Sequence, residues 1–469
     1  MAVDSRQREG TVPDDAWVDQ LEFLPESRSR RVRVTETFTG PLRWVRRVIL
    51  FALTTPGKII AMMVVLTLAL VAAGVSMSQS MASRQESMDV LVNSTEPMSN
   101  SAHQLITALS QADTLATTTF VQPGISTEYD TNRFAASVDA AVVAANDVLE
   151  GTVDSGARDG EIRRLVLQVQ RDIPVYAGLM ERARTNQRTG NPVSVAYMSA
   201  ASDVMRERLL ANSVELFDVT RQQVADEMER LSRPQWVPLS GLVAALVFLV
   251  AAQYGLWRVY RRRLNKGFAM ATAMMVVAIA WTSAANYTMW ESGQRDFERA
   301  AMPWEELTDA RIDAQETRTN EIFALLRRQS ATETNASFAP THESVTRALE
   351  AASGSTDEEV VASARDALAQ WRRAHAELVR TLGDGQFTHA VDVLTSTDPD
   401  ESVPSSARAY SQLDNALDNL INQSREDMRA FIEASLDATT AVAGAVLVLT
   451  ALSVLAIWLG IRQRLGEYL

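Results

Sequence analysis

Few side chains in this chain have types and spacing suited to chemistry. His103, His342, His375 and His389 are its only histidines, and no two stand at the helical two-histidine spacing of a metal site. Cysteine is absent, which excludes thiolate metal sites and disulfide staples. No G-x-S-x-G, P-loop or dinucleotide-binding glycine pattern occurs, and the tightest glycine cluster, Gly383-Asp384-Gly385, reads as a turn. His375 and His389 could approach across that turn, but solvated surface histidines are the simpler expectation. No catalytic residue, cofactor or metal ligand is expected, so the protein is not read as an enzyme.

The remaining chemistry is that of recognition and charge. Arginines cluster at Arg261, Arg262 and Arg263, with Asn265 and Lys266 beside them, and again at Arg462 and Arg464, followed by Glu467 and Tyr468. These are the candidate output residues. Thr35, Thr37 and Thr39 flank Glu36 and are candidate phosphorylation sites, where each phosphate would add roughly two negative charges. Turn-rich segments at 122–130, 151–160, 188–192, 336–341 and 383–404 supply candidate docking tips: Pro123, Gly124, Asp154, Asn191, Pro340, Asp384, Asp398, Asp400 and Glu401.

These residues are positioned by four apolar runs, at 59–77, 237–257, 268–287 and 438–458. Each is about the twenty residues needed to cross a bilayer as a helix, and none has a charged residue in its middle. Mid-membrane ionisable groups of the kind transporters use are lacking. Gly241, Ala244, Ala245 and Ala252, with Ala271, Ala273, Ala278 and Ala280, look like close-packing surfaces between spans.

Cations crowd three flanks: the segment before the first span, the 258–267 link and the 459–469 tail. Positive flanks mark the cytoplasmic side, so both termini are expected inside and residues 78–233 and 288–436 outside. The inner segments sum to roughly +8, leaving roughly −21 for the outer ones within a net charge of −13, a field that disfavours nucleic acid and favours cationic partners. Residues 1–40 are polar and read as a disordered tail. Residues 41–55 separate Arg43, Arg46 and Arg47 from Leu42, Val45 and Ile49, an interfacial amphipathic helix pattern.

Both long polar segments read as helical. In the first, Leu91, Met98, Leu105, Leu109 and Leu115 recur near multiples of 3.5. Helices follow over 132–150, 161–188 and 193–231, with Gly151 and Gly190 as breakers, and the last leads through Pro234 toward the second span. In the second segment a helix extends the third span to about Gln329, and Ala339-Pro340 makes a turn. A helix over 357–382 follows, and the last one, from about Tyr410, continues into the fourth span. The expected fold is an all-α membrane protein: four transmembrane helices with two extracytoplasmic four-helix bundles continuous with them. The repeated order of span, bundle and span implies an internal duplication.

Each half resembles the ligand-sensing module of bacterial chemotaxis receptors, a four-helix bundle bracketed by two membrane helices. The layout, with the motifs at 261–267 and 460–469, also resembles the GlnX-type actinobacterial four-span signalling proteins. That resemblance implies a periplasmic substrate-binding lipoprotein (GlnH) loaded with aspartate or glutamate as the outer partner, and a cytoplasmic Ser/Thr kinase (PknG) as the inner one. Because chemoreceptor bundles work as homodimers, the two bundles are expected to pack side by side as a pseudo-dimer, a homodimer of whole chains being the other arrangement. A direct small-molecule sensor and a structural membrane scaffold are the alternative functions.

Overall fold

The computed structural model describes residues 55–121, 128–152, 159–260, 265–291, 297–327, 331–354, 357–396 and 404–465. Helix α1 runs through Thr55–Val90, a single π-helical turn at Leu91–Thr95, and Glu96–Val121. Next come α2 (Glu128–Gly151), α3 (Asp159–Arg188) and α4, which comprises Val193–Val204, a π-helical turn at Met205–Leu210, and Ala211–Ser232. Helices α5 (Trp236–Tyr260) and α6 (Lys266–Glu291) are short and apolar. The second half contains α7 (Phe297–Arg327), α8 (Ala331–Ala352), α9 (Glu358–Gly383), the short α10 (Phe387–Thr395) and the 60-residue α11 (Ser406–Leu465). At 1.5 Å per residue α11 is about 90 Å long, three times a hydrocarbon core.

Four helical stretches are long and apolar enough to cross a membrane, in α1, α5, α6 and α11, and the chain is an all-α membrane protein. Their core is one apolar cluster that includes Leu70, Met77, Leu249, Met275 and Ile457. Many of their other large apolar side chains, such as Leu68, Val247, Phe248 and Leu459, face outward, as lipid contact requires. The spans pack in a ring in which α11 touches α1 and α6, and α5 closes the circle. Ala245, Ala252, Ala271 and Ala278 are buried in it, whereas Ala244, Ala273 and Ala280 point outward.

Two glycines not expected to pack helices make the tightest crossings. A Cβ on Gly74 would collide with Thr450, and one on Gly267 would stand 2.7 Å from the Gly460 Cα. Backbones can approach this closely only where no side chain intervenes.

Helices α1 to α4 form bundle 1; α7, α8, α9 and the first half of α11 form bundle 2, with α10 lying across its distal end. One continuous core joins them, running from Met98, Leu105 and Phe217 through Trp304 and Leu307 to Trp371 and Leu417. Nearer the membrane, Met88 and Leu91 of α1, Met228 and Leu231 of α4, and Met428 and Ile432 of α11 make a second shared cluster.

Several boundary expectations change. Pro340 lies inside α8 instead of in a turn; its ring is on the exposed side, where water can satisfy the carbonyl that loses its bond. Pro174 likewise sits exposed inside α3. Gly151 ends α2 as expected, and it does so against α1, where a Cβ would stand 2.7 Å from the Met98 Cβ. The passage from α4 to α5 is interrupted: Arg233 is extended (φ −64°, ψ 131°) and helix resumes only at Trp236. Pro234 explains this break, because it disfavours helical geometry in the residue before it. The rods of α1 and α11 therefore run from bundle to membrane, and that of α4 does not.

Candidate functional site

The tips, the seam between the bundles and the two ends of the membrane ring are the places where a relay would receive, pass and deliver a change. At the distal tips the two halves use the same stop. Gly190 (φ 67°) follows α3 and Gly385 (φ 72°) follows α9. Asn191 N donates to Asn186 O at 2.9 Å and Gln386 N to Thr381 O at 2.8 Å, the long bond of a Schellman cap. Asn191 then accepts from Val193 N at 3.2 Å to start the next helix, and Asp384 pairs with Arg380 at 3.1 Å. Asn191 and Asp384 thus each have a structural task at the tip, whereas the third described candidate, Pro340, lies inside α8. Pro123, Gly124, Asp154, Asp398, Asp400 and Glu401 lie outside the described residues, as do Thr35, Thr37, Thr39 and all of the 41–55 segment but Thr55.

Along the seam, Glu96 of α1 is buried at 3% exposure and receives Arg425, with its Nη2 at 3.3 Å, and Arg429 at 3.4 Å from α11. Arg221 of α4 meets Asp309 of α7 at 3.3 Å. Phe217 stands edge-on to Trp304, 6.0 Å between ring centres. Behind them Arg311 of α7 is gripped by Asp414 at 2.9 and 3.1 Å and by Asp418. Burial opposes its charge, but the Asp414 hydrogen bond and charge, then Asp418, outweigh that and hold the guanidinium above its ordinary pKa.

His103 also sits in this seam, 5.8 Å from the Phe217 ring, and neither ring nitrogen has a hydrogen-bond partner among the described residues. Burial, and secondarily the Arg311 charge, pull it down to about 3, so it is a neutral imidazole at physiological pH. The expectation of a solvated histidine fails at His375, which is 3% exposed, and His103 is as deeply buried at 4%. Both occupy the apolar stripe of their helix, a register in which their neighbours Leu105, Ile106, Trp371 and Leu378 are buried too. The helical phase of the sequence carried that signal.

Inside bundle 2, Glu321 is 1% exposed and fully engaged. His375 Nδ1 lies 2.7 Å from its Oε1, while Ser406 (2.8 Å), Arg318 (3.2 Å) and Trp371 Nε1 (3.3 Å) donate to Oε2. Arg318 also donates to Leu394 O at 2.7 Å, tying in α10. Burial opposes the charge on Glu321, but the His375 bond, the Arg318 charge and the Ser406 bond overcome it and hold the carboxyl below its ordinary value.

Bundle 1 buries Asp113 with less company: Tyr176 OH donates to Oδ1 at 3.2 Å and Oδ2 meets no donor among the described residues. Burial pushes this carboxyl up to about 7, against the Arg206 charge and the Tyr176 bond. Arg206 belongs to the π-helical turn of α4, and its guanidinium lies 4.3 Å from the centre of the Phe323 ring in bundle 2.

Where the bundles meet the membrane, Arg84 of α1 closes the break between α4 and α5. It donates to Arg233 O and, at 3.3 Å, to Asn286 Oδ1 of α6; Gln235 donates to Ser80 O at 3.1 Å. At the opposite, basic end of the ring, Asn265 Oδ1 accepts from Gly267 N at 3.0 Å and caps α6, while its Nδ2 donates to Gly460 O at 2.8 Å. The two candidate output segments, far apart in sequence, are thereby joined through Asn265, Gly267 and Gly460. Lys266 and Arg462 flank this clasp, exposed. Arg261, Arg262, Arg263, Glu467 and Tyr468 lie outside the described residues, as does the side chain of Arg464. The sequence flagged the charges of these segments and missed the glycines, whose role appears only when two helices cross.

No group of three or more His, Cys, Asp or Glu among the described residues is arranged to hold a metal ion. What these contacts build is a set of helix-to-helix connections running from tip to membrane. Residues 87–229, which are bundle 1 almost in full, match the family model described as an actinobacterial sensor domain. No curated protein and no solved structure matches the chain.

Proposed function

We propose that the protein is a transmembrane signal relay: its bundles face outside the cytoplasm, meet a solute-binding lipoprotein loaded with an amino acid of the aspartate or glutamate class, and transmit to a cytoplasmic Ser/Thr kinase. The observation that carries the relay is α11, a single helix from the distal tip of bundle 2 to the basic end of the membrane ring. A helix resists compression and bending, so a shift of bundle 1 against it is felt at the Asn265–Gly460 clasp. The basic flanks support an inward-facing clasp by the positive-inside rule. A coupling of about 1–3 kcal/mol between the two ends is enough for a relay.

The match of bundle 1 to a sensor domain model also favours a second reading, direct sensing of a small molecule by that bundle. Full-length protein in nanodiscs, offered a membrane extract with and without aspartate or glutamate, separates the two. Amino-acid-dependent capture of a solute-binding lipoprotein supports the relay. Calorimetric binding of the amino acid to the purified chain alone, without such capture, replaces it with direct sensing.

A further inference from the structure

Helices α1 and α4 of bundle 1 face bundle 2, which leaves α2 and α3 as its outer wall. That wall is unusual for a water-facing surface. Val143 of α2 and Leu167 and Val175 of α3 are 50%, 49% and 43% exposed. Pro174 and Gly178 are exposed beside them, and a Cβ on Gly178 would meet nothing within 4 Å. The corresponding wall of bundle 2, α8 and α9, exposes no large apolar side chain among the described residues. It carries local ion pairs instead, among them Arg347–Glu343 and Arg365–Glu358. On this face the two bundles of one plan thus differ in the way a contact surface differs from a solvated one.

The charges on the wall indicate its occupant. Helix α2 contains one arginine against five acidic residues, and α3 six arginines against four acidic residues, in a chain whose net charge is −13. The bond from Gln170 Nε2 to Asn146 Oδ1, 2.8 Å, fixes the register of this antiparallel pair. Counting from it, Asp147 of α2 and Arg171 of α3 lie at nearly the same height, as do Val143 and Pro174. Asp147 and Arg171 are both exposed and take part in no ion pair among the described residues.

A two-fold axis parallel to the membrane normal is the symmetry open to two copies in one bilayer. It sets α2 of each copy against α3 of the other at equal height, apolar on apolar and acidic edge on basic edge. We propose that the outer α2–α3 wall of bundle 1 is the homodimer interface of this protein, centred on Val143, Leu167 and Val175 and set in register by Asp147 and Arg171.

The absence of cysteine makes the test direct. Full-length chains carrying Val143→Cys and, under a different tag, Val175→Cys are co-expressed and oxidised in native membranes. The proposal expects a disulfide-linked species of twice the 51.6 kDa chain mass bearing both tags. It expects none from a pair substituted on bundle 2, Ser363→Cys with Glu343→Cys. Asp147→Arg in both chains should abolish the linked species, and adding Arg171→Asp should restore it. No doubly tagged product, equal product from the bundle 2 pair, or linkage to a protein of another mass would each overturn the proposal. Native mass spectrometry of the unsubstituted protein from detergent supplies an independent reading: a dimer supports the proposal and a monomer contradicts it.

Discussion

In bundle 2, Glu321 meets a partner at each carboxylate oxygen and sits below its ordinary pKa; in bundle 1, Asp113 is equally buried, accepts one hydrogen bond from Tyr176, and is pushed up to about 7. Bundle 1 also holds both π-helical turns found among the described residues, at Leu91–Thr95 and Met205–Leu210. In bundle 2 both carboxylate oxygens of Glu321 are engaged and tie α7, α9, α10 and α11 together, although Arg318 Nε and His375 Nε2 meet no partner among the described residues. In bundle 1 the carboxylate itself is half-satisfied and two π turns interrupt the helices, which leaves a helix pair closer in energy to other arrangements. The contrast assigns bundle 2 the role of a fixed frame and bundle 1 that of the adjustable part. Bundle 1 is also the part that matches a sensor domain.

The sharpest way to break this comparison is to remove the centre of the frame. Glu321→Ala strands Arg318 and His375 in a dry core and should cost about 3–5 kcal/mol, seen as a large fall in the thermal midpoint of the full-length protein in detergent; a change within error would remove the fixed frame from the account. For bundle 1 the expectation has the opposite sign. Asp113 has its folded pKa raised from 3.8 to about 7, so its contribution to stability is full below about pH 4 and is lost as pH rises toward 7. Asp113→Asn should therefore flatten that part of the pH–stability curve and stabilise the protein above pH 7, by roughly 2–4 kcal/mol at most. Melting curves at several pH values decide it, and an unchanged slope would refute the assignment.

Smaller effects sharpen the seam. Glu96→Gln removes the charge that Arg425 and Arg429 meet and should cost about 1–3 kcal/mol, with faster hydrogen exchange in α1 and α11 around the shared cluster. His103→Leu should change stability by less than about 1 kcal/mol, because the imidazole has no hydrogen bond to lose among the described residues; a loss as large as that of Glu321→Ala would reveal a role for His103 that these contacts do not contain.

How much of this was legible in the sequence follows from the range of the interactions. The four spans and most helices could be read, because apolar runs and the Leu91–Met98–Leu105 periodicity are local properties. The Pro234 break was flagged as a passage and not as an interruption. Pro340 was misread, since a proline on the wet side of a long helix is tolerated when packing elsewhere holds the helix. The seam, the Glu321 network and the Gly267–Gly460 crossing join residues separated by up to hundreds of positions, and no periodicity reports such a pairing. Basic composition drew attention to Asn265 and Arg462, but the reason these segments meet is the missing side chain of two glycines.

The central claim is that a change at the bundle seam reaches the basic end of the membrane ring. It is tested most directly by spin labels at Lys58→Cys and Lys266→Cys, one on α1 and one on α6, in the otherwise cysteine-free chain in nanodiscs. Pulsed electron paramagnetic resonance distances are compared with and without Glu96→Arg, which turns the seam contact with Arg425 and Arg429 repulsive. The account predicts a displaced or broadened distance distribution in the altered seam; an identical distribution, in protein whose seam is demonstrably loosened by hydrogen exchange, would contradict it.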